Sequence, residues 1–221
     1  MSRASMIQCI DWGRLDKLRI TMKYRLAKLI STVLNPFLVS LVVVMLLSFN
    51  STSSILDGLK WVLISLGLST LPVIAVIISL VRNDKLESIS IKVRGQRNRI
   101  YLLASICAVV SCAVLYYLAA PLVLVATLVA GLLAVVMFMS INLWWKISIH
   151  SAFVAGSVTI LIAMYGYIWA ATIVLLPLIG WSRVELEHHS PAQVVFGASV
   201  AALVVFVVFY LFGLVGHVTA V

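Results

Sequence analysis

The chain has 221 residues, of which 63% are hydrophobic and only 10% charged, and its mean hydropathy is +1.18. These values exclude an ordinary soluble globular protein, in which roughly 25% of residues are charged. The formal net charge of +9 is concentrated in two blocks, 1–28 and 82–99. Because both blocks flank apolar runs, they favour anionic lipid headgroups rather than nucleic acid as partners.

Most of the chain consists of long uncharged runs. They cover 29–49, 61–81, 100–145, 151–181 and 190–216. A bilayer core requires roughly 20 apolar helical residues for each crossing, and only helices and closed barrels satisfy the backbone there. The sequence therefore predicts an all-α, polytopic transmembrane helix bundle of six to seven spans. We expect a basic N-terminal tail at 1–28 and one transmembrane domain at 29–221.

The first four predicted spans follow in chain order. Span 1 covers about 29–49, and its Asn35-Pro36 pair predicts a kink because proline cannot donate a helical hydrogen bond. A polar turn precedes span 2 at about 59–81. The next uncharged run divides before Pro121, which suits a turn or a first helical turn. Spans 3 and 4 are thus predicted at about 100–118 and 121–143.

The run 151–181 is long for one crossing and short for two. Gly166, between two tyrosines, divides it into helices of roughly 15 residues at 150–165 and 168–181. A final span is expected at about 191–215. The total is seven spans, or six if one segment is only partly inserted.

Three polar segments are separated from one another by two predicted spans. They are 82–99, "KISIHS" at 146–151 and "SRVELEHH" at 182–189. An even number of crossings returns the chain to the same side of the membrane. The sequence therefore predicts that all three segments converge on one face.

The converging segments carry several cations, a hydroxyl and histidines, which together indicate a phosphate site. Arg and Lys offset the charge of an oxyanion, and His can attack or donate a proton near neutral pH. Adjacent histidines rarely bind one metal ion, and dense cations repel it, so no metal and no cofactor are expected. The candidate residues are Lys92, Arg94, Arg97, Arg99, Lys146, Ser148, His150, Arg183 and His189.

The spacing of these residues resembles the type 2 phosphatidic acid phosphatase (PAP2) superfamily of membrane lipid phosphatases. The first motif of that family, Lys, six residues, Arg-Pro, is matched by Lys92 and Arg99 in "KVRGQRNRI". The second, Pro-Ser-Gly-His, is matched weakly by "ISIH". The third, Ser-Arg, five residues, His, three residues, Asp, is matched by "SRVELEHHSPAQ". The resemblance covers roughly 82–200.

The resemblance implies a role for each matching residue. His189 would attack phosphorus and form a phosphohistidine intermediate, while His150 would protonate the leaving lipid alkoxide and then activate water. The implied phosphate ligands are Lys92, Arg99, Ser148 and Arg183, with Lys146, Arg94 and Arg97 as auxiliary contacts.

Three positions depart from the family pattern. Ile100 replaces the proline of the first motif, Ile149 replaces the glycine of the second, and Gln193 stands where the third has aspartate. Gln193 lies four residues after His189, on the same helical face, so its carbonyl can accept the same hydrogen bond without a charge. We expect a working site with a less strongly activated histidine.

The expected substrate is a lipid phosphate, either an isoprenoid phosphate or diphosphate or a phosphatidic-acid-type lipid, because we expect no soluble domain that could select a water-soluble ester. The +5 charge of 1–28 predicts a cytoplasmic N-terminus and, two crossings later, a cytoplasmic active face; the face reverses if only one of the first two runs crosses fully. The resemblance to compact prokaryotic members implies a prokaryotic cell membrane. Two alternatives stay open: a non-catalytic membrane protein that binds or transports lipid, and a lipid phosphotransferase of the same fold.

Overall fold

A computed structural model describes residues 12–82 and 94–216, and the described residues form helices and no strand. The predicted all-α helical bundle is therefore confirmed. The α-helices are α1 Trp12–Val33, α2 Pro36–Asn50, α3 Ile55–Arg82, α4 Arg94–Tyr117, α5 Leu122–Ile141, α6 Ile149–Tyr165, α7 Leu175–Glu185 and α8 Pro191–Leu211. A 3₁₀ helix, Tyr167–Val174, lies between α6 and α7.

The predicted kink at Asn35-Pro36 is present as a break between two helices. Oδ1 of Asn35 accepts hydrogen bonds from the backbone N–H groups of Phe37 and Leu38, both at 2.9 Å, and Pro36 is the first residue of α2. This is the usual start of a helix, because the missing proline N–H would have no helical partner there. The described part of α1 and α2 meet at 42°.

The helix α1 extends across the predicted limit between tail and membrane domain. It begins at Trp12, whereas the first predicted span begins at 29. The residues of α1 that face the bundle, Ala27 and Ser31, are buried against α7. Part of the basic segment is therefore a helix that packs on the bundle.

Among the described residues, five helices are long and apolar enough to cross a membrane: Ile55–Leu80, Gly95–Tyr117, Leu122–Ile141, Tyr167–Glu185 and Pro191–Leu211. The bent pair of α1 and α2 would make a sixth. Helix α6 is apolar but has only 17 residues. The predicted count of six to seven is reached only if the bent pair, or the bent pair and α6, also cross.

Gly166 ends α6 as the sequence predicts. Its φ is +80°, a conformation that costs glycine little, and its N–H donates to the carbonyl of Ile162 at 2.9 Å. The helical segment that follows is longer than the predicted 168–181. It continues through the 3₁₀ turn into α7 and ends at Glu185, so it reaches spanning length by itself.

The described residues of the three polar segments lie at one end of the bundle, as the number of spans predicts. Nε of Arg97 donates to Oδ1 of Asn142 at 2.8 Å, which joins the start of α4 to the end of α5. Nζ of Lys146 donates to the carbonyl of His188 at 2.8 Å, which joins the segment after α5 to the loop after α7. The tyrosine end of α6 lies at the opposite end, where the Tyr165 hydroxyl donates to the carbonyl of Leu46 at 3.4 Å.

The helices α6 and α8 are held together most closely where both begin. The Ser151 hydroxyl on α6 donates to the carbonyl of Val194 on α8 at 3.1 Å, and the Ser148 N–H donates to the carbonyl of Gln193 at 3.4 Å. Gly197 allows this approach, since a Cβ there would lie 2.7 Å from Cγ2 of Ile147 and 3.0 Å from the carbonyl oxygen of Ser148.

We therefore expect Gly197→Ala to destabilise the protein by about 1–3 kcal/mol, because an added methyl group would overlap Cγ2 of Ile147 and crowd the carbonyl of Ser148. Thermal unfolding in detergent measures the change. Gly131→Ala in α5 is the matched control, since an added Cβ there meets nothing within 4 Å and alanine is the better helix former. A Gly197→Ala protein with the same melting temperature as the wild type would contradict this close packing.

Candidate active site

His189 lies in the short loop between α7 and α8, half-buried, with its ring against the first turn of α8. Its Nδ1 is 3.1 Å from Oε1 of Gln193. The spacing of four residues predicts this contact. Gln193 is the residue that stands where the PAP2 motif has aspartate.

The start of α8 fixes which atom of the Gln193 amide faces His189. The Ser190 N–H donates to Oε1 of Gln193 at 3.2 Å, and the Gln193 N–H donates to the Ser190 hydroxyl at 3.3 Å, which is a capping box. A backbone N–H can only donate, so the oxygen of the amide must lie here. That oxygen can only accept, so Nδ1 of His189 carries the hydrogen and Nε2 keeps its lone pair.

The loop that presents His189 begins with a regular helix end. The N–H of His188 donates to the carbonyl of Arg183 at 3.1 Å, and that of Glu187 donates to the carbonyl of Val184 at 2.9 Å. These are the two hydrogen bonds of a Schellman motif, and Glu187 occupies its left-handed position with φ +55°. The tight turn thereby brings Arg183 and His189 together, and the His189 N–H donates to the carbonyl of Arg183 at 3.3 Å.

The surroundings of His189 oppose its protonation. Burial, and then the positive charge of Lys146, lower the pKa of His189 to about 3, and the hydrogen bond to Gln193 only partly offsets them. The charges of Arg183 and His188 act in the same direction as that of Lys146. His189 is therefore a neutral imidazole at physiological pH.

This pKa predicts how stability depends on pH. Because the pKa of His189 is lower in the folded protein than the ordinary value of about 6.5, the unfolded chain takes up a proton first as the pH falls. The stabilisation is complete above pH 6.5 and is lost between about pH 6.5 and 3, and we expect a loss of roughly 1–2 kcal/mol from this residue. His189→Asn should lose less stability over the same range. Stability is measured by thermal unfolding at pH 7 and at pH 5. If wild type and His189→Asn lose the same stability between these two pH values, the low pKa of His189 is contradicted.

His150 occupies the first turn of α6, beside the start of α8. Ser148, which is fully buried, is the N-cap of α6, and its hydroxyl accepts a hydrogen bond from the Ser151 N–H at 3.5 Å. The hydroxyl of Ser148 therefore stabilises the helix end that carries His150. A direct contact of Ser148 with phosphate stays a prediction.

The predicted phosphate ligands fall into three groups. Lys146 and Arg183 lie beside His189, where their charges lower its pKa. Arg99 is exposed on α4 and makes no described contact with the histidines, whereas Arg97, two residues earlier, is buried and points towards Asn142. Lys92 and the side chain of Arg94 lie outside the described residues.

Two polar residues at this end were not identified from the sequence. Asn142 is buried at the end of α5, where its Oδ1 accepts from Arg97 and its Nδ2 donates to Oδ1 of Asn98 at 2.5 Å. The signal that could have identified Asn142 is an amide at the end of the predicted span 121–143. Ser31 is buried on α1, where it accepts a hydrogen bond from Arg183, and no spacing pattern connects positions 152 residues apart.

Comparison with protein families gives a match between residues 142–216 and the PAP2 superfamily. The predicted resemblance is confirmed over this part of the chain. The comparisons with curated proteins and with solved structures give no match.

The PAP2 match contains the second and third motifs and all the residues described around His189. His150, Arg183, His189 and Gln193 lie within it, and the first motif at Lys92 and Arg99 lies before it. Over this part of the chain the protein is therefore similar to the PAP2 superfamily, and its apolar helices are long enough to cross a membrane. No group of three or more His, Cys, Asp or Glu side chains with metal-binding geometry occurs in the part of the chain that the structure describes.

Proposed function

We propose that the protein is an integral-membrane lipid phosphatase that hydrolyses a phosphate ester or diphosphate of a lipid through a phosphohistidine at His189. One observation carries the proposal: Nδ1 of His189 is held by Oε1 of Gln193, whose orientation is fixed by the Ser190 N–H. A neutral imidazole in this tautomer offers the lone pair of Nε2 as the nucleophile.

In the first step Nε2 of His189 attacks phosphorus, the new P–N bond forms, and the P–O bond to the lipid breaks. His150 is neutral in the free protein, because its burial and the charge of Arg183 disfavour a proton. It takes a proton from the monoanionic phosphate ester as that group binds and gives it to the departing alkoxide. In the second step neutral His150 takes a proton from water, whose oxygen attacks phosphorus as the P–N bond breaks. Inorganic phosphate leaves with that proton, and both histidines return to their neutral state.

Lys146 and Arg183 supply the electrostatic part of the mechanism. Their positive charges disfavour a proton on His189 in the free protein, and the same charges offset the negative charge that a phosphoryl group brings. Gln193 accepts the Nδ1 hydrogen throughout, so it stabilises the phosphorylated ring by a dipole and not by a full charge.

The surroundings of the site favour a substrate held in a membrane. Trp144 is 75% exposed and Trp145 37% exposed, directly before Lys146, and Trp145 packs on Phe196 with ring centroids 5.3 Å apart. Tryptophans of this kind anchor at the level of lipid headgroups. We propose an isoprenoid phosphate or diphosphate, or a phosphatidic-acid-type lipid, as the substrate.

Basic residues at the same end of the bundle support a proposal for the side of the membrane. Lys23, Arg25 and Lys28 are exposed on α1, whose last turns pack beside Arg183. An excess of basic residues marks the cytoplasmic side. We therefore propose that the site faces the cytoplasm.

The experiment measures phosphate release by the purified protein in detergent from isoprenoid phosphate, isoprenoid diphosphate and phosphatidic acid. Release that depends on His189 supports hydrolysis. Transfer of phosphate to an added alcohol, without release to water, would assign a phosphotransferase. No release and no transfer from any of these lipids, with wild type equal to His189→Ala, would leave a non-catalytic lipid-binding protein.

A further inference from the structure

The helix α1, which lies outside the PAP2 match, holds the two residues that begin the third motif. The Ser182 hydroxyl donates to the carbonyl of Ala27 at 2.7 Å, and Nη1 of Arg183 donates to the Ser31 hydroxyl at 2.9 Å. Positions 27 and 31 are four apart, so both contacts lie on one face of α1. Ala27, Ser31, Ser182 and Arg183 are all buried.

The contact with Ser31 uses only one edge of the Arg183 guanidinium. Nε and Nη2 carry their hydrogens on the other edge, and two such parallel donors match two oxygens of a phosphate. Nε of Arg183 is buried and has no hydrogen-bond partner in the described chain. A buried donor of this kind is uncommon unless a ligand supplies its acceptor.

The charge of Arg183 also lacks a local counter-ion. The side chain is only 6% exposed, and among the described residues no carboxylate pairs with it. Burial of an unpaired charge is costly, and an anion held at the free edge would offset that cost.

We propose that Ser31 is a positioning residue: by binding Nη1 of Arg183, it directs the Nε–Nη2 edge of the guanidinium towards the phosphoryl group. This inference rests on the proposed function, because it assigns a phosphate to the space beside Arg183 and His189. It makes α1 part of the phosphate site, although α1 is far from the other site residues in sequence.

Four variants test the role of the hydroxyl. Ser31→Ala removes it, Ser31→Cys keeps nearly the same volume with a poor acceptor, and Ser31→Thr restores it. Thr32→Ala is the matched control, because Thr32 is the exposed neighbour whose hydroxyl bonds only to the carbonyl of Lys28 within α1. Two quantities are measured in detergent: kcat/KM for phosphate release, and the affinity for inorganic phosphate from the rise of the melting temperature with phosphate concentration.

We expect Ser31→Ala and Ser31→Cys to lower kcat/KM and phosphate affinity by about tenfold to a hundredfold, the range for a hydrogen bond to a charged group. Ser31→Thr should recover most of the loss, and Thr32→Ala should behave as wild type. If Ser31→Ala does not fold, the values measured for Ser31→Cys test the proposal. Wild-type values in Ser31→Cys, or a loss in Ser31→Thr as large as in Ser31→Cys, would overturn the proposal.

The phosphate measurement separates this proposal from the proposed function. A wild-type protein that binds inorganic phosphate but hydrolyses no lipid phosphate would contradict the proposed function. The role of Ser31 would then stand if Ser31→Cys weakens phosphate binding relative to Thr32→Ala. A wild-type protein that neither binds phosphate nor releases it would overturn both.

Discussion

His189→Ala is expected to lower phosphate release from lipid phosphates by roughly 10⁴-fold or more, because the substitution removes the only atom that can form the phosphoryl-enzyme bond in the proposed mechanism. The protein should remain folded, since His189 is a half-buried loop residue and the capping box of α8 involves only Ser190 and Gln193. Release rates are compared at equal amounts of folded protein. The labelled phosphoenzyme is detected after denaturation in detergent without acid, because acid hydrolyses phosphohistidine.

His188→Ala is the matched control for His189→Ala. The contact that Lys146 makes with this residue is to its backbone carbonyl, which alanine keeps. We expect activity within about tenfold of wild type and an intact phosphoenzyme. Equal activity of His189→Ala and wild type would exclude His189 as the nucleophile, and loss in both variants to the same extent would point to a disturbed loop instead.

Gln193→Glu and Gln193→Leu should change activity in opposite directions. Glutamate has the same length and also forms a capping box, but its charge raises the pKa of His189 above about 3 and stabilises the phosphorylated ring. We expect the phosphorylation step to become about tenfold faster at neutral pH. Leucine removes the acceptor for Nδ1, so the tautomer is no longer fixed, and the rate should fall roughly a hundredfold. Rapid-quench measurement of phosphohistidine formation follows the step.

Ser190→Ala separates the catalytic effect of Gln193 from its structural one. The Ser190 hydroxyl is the other half of the capping box, and it does not contact His189 in the structure. Its removal should cost about 1 kcal/mol of stability with little change in rate. If Gln193→Leu were as active as Ser190→Ala, the His189–Gln193 contact would have no catalytic role.

Much of the fold could be predicted from local sequence. The uncharged runs predicted the helices, because a chain segment in lipid must satisfy its own backbone hydrogen bonds. Asn35-Pro36 and Gly166 predicted two breaks, since each acts on the backbone of its own helix end. The start of α1 at Trp12 was not predicted, because its basic residues resemble a solvated tail, whereas the helix packs on α7 through Ala27 and Ser31, a contact that depends on the tertiary structure.

The candidate site could be predicted in part. His150, Arg183, His189 and Gln193 were predicted from the family spacing, and Lys146 from its place in one of the converging polar segments. The basic loop was harder, since Lys92, Arg94, Arg97 and Arg99 all lie within eight positions and only packing shows that Arg97 is buried and Arg99 exposed. Charge and spacing alone do not distinguish neighbouring arginines on a helix.

The sequence by itself determined that this is a helical membrane protein, that three polar segments share one face, and that Gln193 can reach His189, because each depends on hydropathy or on helical periodicity. Only the tertiary structure decided that the Ser190 N–H fixes the orientation of the Gln193 amide and that Ser31 on α1 holds Arg183. The physical reason is that a hydrogen bond between side chains depends on where two helices cross and how each is rotated. Those quantities follow from the packing of the whole bundle, and a pattern of residues along one segment does not contain them.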